Sequence, residues 1–142
     1  MTRADIARLI PHAGPMCLLD GVVQWDASHI RCISRTHRDI NNPLRAGGHL
    51  PGICGIEYAA QAMALHGGLS GIVGKKPATG YLVSLRDVIC RQHRLDDLAG
   101  DLVVDAAQLM GDQGRVIYQF TLQAGGAEIL SGRATVVLDV PA

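Results

Sequence analysis

Aromatic residues are scarce in this sequence: one tryptophan, one phenylalanine and three tyrosines make up only 4% of its 142 residues. Proteins that bind nucleic acid commonly stack bases on aromatic side chains and carry an excess of basic residues. Here 13 lysines and arginines are balanced by 13 aspartates and glutamates. Both features argue against a nucleic-acid-binding protein, although a balanced total is compatible with a local basic patch.

Long hydrophobic runs and metal-binding cysteine patterns are absent as well. No segment approaches the roughly 18 uninterrupted apolar residues of a membrane-spanning helix. The first residues, MTRADIARLIPH, lack the apolar core of a signal peptide. The four cysteines are widely and irregularly spaced, which predicts reduced thiols and no zinc site. We therefore expect a cytosolic protein that does not interact with membranes.

Short apolar segments separated by turn-forming residues predict a helix, two strands, a second helix and then four strands. Residues 3–10 predict the first helix, which Pro11 ends. Pro51 and Gly52 begin the second helix, which glycines end near residue 65 or 69. The predicted strands cover residues 16–25, 29–36, 81–92, 101–110, 115–123 and 128–140.

The second helix is apolar on nearly all sides, which predicts that it is buried all round. One antiparallel sheet that curls round a single helix would bury it. We therefore predict an α+β hot-dog fold, formed by residues 1–142 as a single domain. Such a sheet leaves one flank of the helix and one sheet edge open, which predicts a homodimer or a larger assembly of dimers.

The second helix carries an isolated acid. Glu57 is the only charged residue in the range 53–65, and a buried carboxylate without a partner is costly. Gln61 follows one helical turn later, so both side chains lie on the same helix face. Two structural alternatives stay open: Glu57 pairs with Arg45 or with a partner chain, and Gln61 is a buried amide whose hydrogen bonds are satisfied.

The residues just before Glu57 add groups that suit acyl chemistry. His49 lies in a glycine-containing loop, although it is equally explained as an ordinary loop histidine. Gly52 and Gly55 leave the helix start without side chains, so that a ligand oxygen could approach its free N–H groups. A base, an oxyanion site and an acid are the groups needed to remove an α proton and a β-hydroxyl from an acyl thioester.

The segments GHLPG (48–52) and PGICGIEYAAQ (51–61) resemble the active-site segments of the hot-dog β-hydroxyacyl-acyl-carrier-protein dehydratases of fatty-acid synthesis. That family has a GHFxG-type loop, then Pro-Gly, then a helix bearing Glu or Asp with Gln four residues later. IPHAGPMCLLDGVV (10–23) is similar to the family's opening PHRxPxLLxDxV, and residues 84–101 lie where the family has a strand and a Gly-Asp loop.

The resemblance implies that His49 is the catalytic base and Glu57 the acid. It implies that the Gly52 N–H binds the thioester oxygen, with Gly55 and Gln61 as further substrate-binding residues. The substrate would be a 3-hydroxyacyl group on the phosphopantetheine arm of an acyl carrier protein, and the product a trans-2-enoyl thioester. The family builds its sites between two subunits and uses neither a metal nor another cofactor.

One departure from the family pattern concerns the loop. His49 precedes Glu57 by only eight residues, and about six residues of the family's loop are missing, up to roughly 20 Å of extended chain. This shortened form resembles the small dehydratase-like proteins of polyene-type synthesis. Because the loop is short, we expect His49 of one chain to act with Glu57 of the other chain in a dimer.

Two other functions fit the same residues. A hot-dog acyl thioesterase would use Glu57 to activate water at the thioester carbonyl. A non-catalytic acyl- or pantetheine-binding subunit would support a paralogous dehydratase in a heterodimer, and the shortened loop favours this alternative. A basic strand-loop region predicts docking of an acidic carrier protein by charge. Its members are Lys75, Lys76, Arg86, Arg91 and Arg94.

Overall fold

The structure, a computed structural model, describes residues 1–10, 16–70, 79–112 and 114–139. The prediction about Lys75 and Lys76 therefore lies outside the described residues. Two α-helices and six strands are present in this part of the chain, together with short 3₁₀ turns at Thr36–Arg38 and Gly52–Cys54. They are α1 (Arg3–Leu9), β1 (Gly21–Trp25), β2 (His29–Ser34), α2 (Gly55–Ser70), β3 (Thr79–Cys90), β4 (Leu102–Asp112), β5 (Arg115–Ala124) and β6 (Ala127–Asp139).

The six strands form one antiparallel sheet in the order β1-β2-β4-β5-β6-β3, and α2 packs across β2, β4 and β5. The predicted hot-dog fold is confirmed. A tight turn joins β5 to β6 because Gly125 and Gly126 adopt φ angles of 59° and 81°, a conformation that glycine adopts without steric cost. Among the described helices, none is both long enough and apolar enough to cross a bilayer.

The alternation predicted for β5 is present. Tyr118, Phe120 and Leu122 are buried against the core, whereas Gln119 between them is exposed. Tyr58 of α2 is fully buried in the same core. The period-2 pattern in the sequence therefore identified the strand and also the face that packs against the helix.

The first strand is shorter than predicted, since β1 begins at Gly21 and not at residue 16. Side chains bind the backbone of the preceding segment in place of a neighbouring strand. The Gln61 amide accepts a hydrogen bond from Leu18 N (2.8 Å) and donates one to Met16 O (2.6 Å). Ser34 Oγ donates to Leu18 O (2.5 Å). The segment therefore lies outside the strands of the sheet.

The prediction that α2 is buried all round is wrong on one flank. Ile53, in the 3₁₀ turn just before α2, is 53% exposed, and Ile56, Glu57, Ala60 and Ala64 of α2 follow it at helical spacing with only partial burial. This set of five residues is called the open flank below. The open flank lies on a single helix face because its members recur every three or four residues.

Candidate functional site

A tight hairpin precedes α2 and carries His49. Ala46 N donates to His49 O (2.8 Å), and His49 N donates to Ala46 O (3.1 Å). Gly47 and Gly48 between them adopt φ angles of 59° and 80°, which favour glycine at both positions. The imidazole of His49 is exposed at the end of this hairpin.

The residues after His49 are bound to the segment that follows β3. Leu50 N donates to Asp96 Oδ1 (2.9 Å), and Leu95 N donates to Leu50 O (2.8 Å). Asp96 also forms an ion pair with Arg94, and the hydrogen bonds from Arg94 and Leu50 hold the pKa of the Asp96 carboxyl far below its usual range. These contacts determine the route of the short loop to the helix.

Gly52 also contacts the segment that follows β3. Its N–H donates to His93 O (2.8 Å), and a Cβ at this position would lie 1.9 Å from Gln92 O. A side chain is therefore excluded by the chain's own backbone. The space and the N–H group that the sequence suggested for a ligand are occupied by residues 92–93 in this conformation.

Gly55, three residues later, has a similar explanation. A Cβ at Gly55 would lie 2.9 Å from Leu130 Cδ2 and 3.0 Å from Leu122 Cδ2. The missing side chain lets α2 approach the core face of β5 and β6 closely. The structure thus gives Gly55 a packing role, and its predicted part in substrate binding stays a prediction.

Glu57 and Gln61 lie one turn apart, as predicted, and contact each other. Gln61 is fully buried, and its amide orientation is determined by its hydrogen bonds to the backbone at Met16 and Leu18. Gln61 Nε2 also lies 3.5 Å from Glu57 Oε1, so it donates weakly to the carboxylate. Gln61 is therefore a buried amide whose hydrogen bonds are satisfied and which lies beside Glu57.

The structure does not bring His49 and Glu57 together within one chain. No hydrogen bond or ion pair joins them in the part of the chain that the structure describes. Arg45, the alternative partner of Glu57, donates instead to Asp39 O (3.0 Å) and Gly48 O (3.3 Å). Of the described His, Cys, Asp and Glu side chains, no three are grouped in a way that could hold a metal ion.

The match to a family model decides the family. The model for ApeP-like proteins, described as ApeP dehydratase, matches residues 4–140. The chain belongs to the ApeP-like dehydratase family. The resemblance to dehydratases that the central motif suggested is thereby confirmed, and so is the membership of a hydro-lyase family.

Two relatives of this ApeP-like chain carry dehydratase names. The 3-hydroxyacyl-[acyl-carrier-protein] dehydratase FabZ of Wolbachia sp. subsp. Drosophila simulans (strain wRi) is 30% identical over 112 residues, which cover 75% of this chain and 73% of that protein. The dehydratase heterocomplex ApeI:P from Xenorhabdus doucetiae contains a chain with a TM-score of 0.82 and 26% identity. That match covers 95% of this chain and 91% of the other.

Thioesterases share the fold with this ApeP-like chain. A thioesterase from Haemophilus influenzae has a TM-score of 0.69 over 98% of this chain and 91% of its own, but only 13% identity. At that identity the likeness concerns the fold alone. The thioesterase alternative therefore gains no support beyond the shared architecture.

The ApeP-like chain also has a cleft at the helix start that the sequence did not predict. It has a volume of about 320 Å³ and is lined by Pro51, Gly52, Ile53, Cys90, Arg91, Gln92 and His93. Four of these residues lie at the end of β3 and just after it, far from the helix start in sequence. Pattern and spacing carry no signal for this contact, because only the sheet topology brings the two segments together.

Proposed function

We propose that this chain is a subunit of a 3-hydroxyacyl-[acyl-carrier-protein] dehydratase acting in fatty-acid or polyene-type synthesis. The observation that carries the proposal is the Glu57 carboxylate, which lies beside Gln61 on the open flank of α2. The family match and the FabZ relative support dehydration as the reaction. A partly buried carboxyl group in an apolar surrounding suits proton transfer to a departing hydroxyl group.

The partner in this proposal is a paralogous dehydratase subunit, paired along β3. Among the described strands β3 has a neighbour on one side only. Leu82 and Leu85 remain 41% and 38% exposed on it, although they oppose the buried residues Val136 and Ala134 of β6. An open edge with apolar residues on its core face favours strand addition by a second chain. The similarity to a chain of a dehydratase heterocomplex favours a paralogue as that second chain.

The substrate in this proposal is presented by an acyl carrier protein, which docks beside the cleft at the helix start. Arg91 lines the cleft and is 55% exposed, with Glu128 at 3.5 Å as its ion-pair partner. Arg86 is exposed on the same strand-loop region. Arg94 is not assigned to carrier docking, because its guanidinium forms an ion pair with Asp96. The four free cysteines fit a reducing compartment, and we place the reaction in the cytosol.

The test is an assay of the purified complex with a carrier-bound 3-hydroxyacyl thioester. Mass spectrometry of the carrier follows the loss of water, and a thiol reagent follows hydrolysis. The proposal expects an enoyl thioester on the carrier and no increase in free thiol. Thiol release without enoyl formation would identify a thioesterase. If the paralogue alone dehydrates the substrate at the rate of the complex, this chain does not take part in the reaction.

A further inference from the structure

We propose that two arginines beside the open edge of β3, Arg86 and Arg133, determine which subunit pairs with this chain. They favour a chain that carries acidic side chains on the facing strand, and they disfavour a second copy of this chain. The inference rests on the proposed pairing of two subunits along β3. It adds the feature that makes a paralogue a better neighbour there than an identical chain.

The two residues, called the arginine pair below, stand directly opposite each other, Arg86 on β3 and Arg133 on β6. Cβ atoms in such positions are about 4.5–5.5 Å apart, and like charges there are destabilising. Both arginines are exposed. They lie on the sheet face turned away from α2, because Gly132 and Ala134, on either side of Arg133, are buried. The pair is therefore an exposed concentration of positive charge.

The neighbouring acids do not neutralise the arginine pair. Asp105 Oδ1 accepts a hydrogen bond from Arg31 Nε (2.8 Å) and lies 2.9 Å from His29 Nε2. Asp105 is on β4, two strands from β6, which is a distance of about 10 Å across the sheet. Glu128 forms its ion pair with Arg91 (3.5 Å). In the part of the chain that the structure describes, neither member of the arginine pair forms an ion pair.

Asp87 is the acid nearest to the arginine pair in sequence. It lies in a bulge of β3 between Arg86 and Ile89, where the register with β6 shifts. Its φ angle of 54° is uncommon for a residue other than glycine. Among the described residues it forms no ion pair with either arginine, and the bulge leaves it without an opposite residue on β6. Two positive charges and one negative charge thus lie at this edge, and their sum is positive.

Pairing along β3 brings the edge strand of the second subunit next to Arg86. In a homodimer the twofold axis repeats the arginine pair, so that four arginines lie on four successive strands spaced about 4.8 Å apart. This spacing is shorter than the Debye length of about 10 Å at 0.1 M ionic strength, so the charges repel each other. Acidic side chains on the facing strand instead form favourable cross-strand pairs. Arg86 then belongs to the subunit contact, and Arg91 remains for the carrier.

The first test measures the affinity of this chain for the paralogous subunit by titration calorimetry at low and high salt. Arg86→Glu is expected to weaken the complex about five- to tenfold at low ionic strength, and added salt should reduce the difference. Asp87→Asn removes the negative charge at the edge and should not weaken the complex. Arg115→Glu is the matched control, since Arg115 is an exposed arginine on β5, two strands from β3. Its affinity is expected to stay within about twofold of wild type.

A second test uses this chain alone. The double variant Arg86→Glu, Arg133→Glu takes the place of an acidic partner and is mixed with the wild-type chain at low salt. Native mass spectrometry separates the dimers by mass. Mixed dimers are expected to exceed the roughly one half that random pairing gives, and the excess should disappear at high salt. A mixture of the wild-type chain with Arg115→Glu should show no excess. Equal melting temperatures show that the variants are folded.

Several results would overturn the proposal. They are random proportions of dimers in the mixture, or an affinity of Arg86→Glu for the paralogue equal to that of wild type. If no mixture contains dimers, the affinity for the paralogue decides. A higher KM for carrier-bound substrate without a change in subunit affinity would assign the arginine pair to the carrier, and that too overturns the proposal. A complex that assembles by charge but dehydrates no carrier-bound substrate would instead refute the proposed function and leave the role of the arginine pair intact.

Discussion

The two sides of the start of α2 differ sharply in packing. On one side Gly52 and Gly55 contact the chain's own backbone and core so closely that a side chain does not fit. On the other side Ile53 and Glu57 remain partly exposed on the open flank. Glycines and acid are neighbours in sequence and together suggest one site, but the structure gives them separate roles. The glycines pack against the chain's own backbone and core, whereas Glu57 lies on the open flank.

The largest expected effect concerns Gln61, which links Glu57 to the segment before β1. Gln61→Leu leaves Met16 O and Leu18 N buried without their partners, which costs roughly 2–5 kcal/mol in the free energy of unfolding. Urea denaturation of the purified chain measures the loss. Gln119→Leu is the matched control, because Gln119 is exposed on β5 and its substitution is expected to stay within about 0.5 kcal/mol. A similar result for both variants would show that the hydrogen bonds of Gln61 do not stabilise the fold.

The second largest expected effect is a difference in stability between Gly52→Ala and Gly55→Ala. Gly52→Ala brings a Cβ to 1.9 Å from Gln92 O, and a main-chain carbonyl cannot rotate away, so we expect a loss of about 1–3 kcal/mol. Gly55→Ala meets only the ends of two leucine side chains, and alanine offsets part of the cost because it favours the helix by about 1 kcal/mol. The net loss of unfolding free energy in Gly55→Ala is expected to be smaller than the loss in Gly52→Ala. Denaturation curves that place Gly55→Ala below Gly52→Ala in stability would contradict this ranking.

A third prediction concerns pH and the far end of α2, where His66 is fully buried. Its Nε2–H donates to Asp26 O (2.9 Å), and its Nδ1 accepts from Tyr118 OH (2.7 Å). Burial lowers the pKa of His66 below its ordinary value of 6.5 and raises the pKa of Tyr118 to about 12. Below pH 6.5 the unfolded chain therefore binds a proton that the folded chain resists, so stability is lost as the pH falls.

Thermal unfolding between pH 7 and pH 5 measures this dependence. The melting temperature of the wild-type chain is expected to fall with pH, and His66→Asn is expected to reduce that slope. Some slope should remain, because burial also lowers the pKa of His37. Identical slopes for the wild-type chain and His66→Asn would show that His66 is not the responsible group.

The smallest effect concerns carrier docking. Arg91→Glu is expected to raise KM for carrier-bound substrate several-fold, equivalent to at most about 1 kcal/mol, and added salt should reduce the difference. KM for a small pantetheine thioester should not change. Arg8→Glu is the matched control, since Arg8 is an exposed arginine of α1 with an ion-pair distance of 3.3 Å to Asp5, similar to Arg91 and Glu128. An equal effect of both variants would remove Arg91 from the docking surface.

The sequence predicted the elements of the fold well, because each has a local cause. The alternation around Phe120 and the glycines at 125–126 indicated β5 and its turn to β6, both of which are present. The main error was the strand predicted over residues 16–20. Side chains of distant residues hold this segment outside the sheet. Hydrogen bonds of that kind depend on contacts between remote segments, and a local pattern does not contain them.

The fold class, the single acid of an apolar helix and the dehydratase motif could be identified from the sequence, because periodicity, turn residues and residue spacing are local properties. What each motif residue contacts depends on the packing of distant segments. The segment after β3 occupies the Gly52 N–H, and the first segment of the chain holds Gln61. Both contacts join residues about 40 positions apart, and only the packing of the sheet round α2 brings such residues within hydrogen-bonding distance.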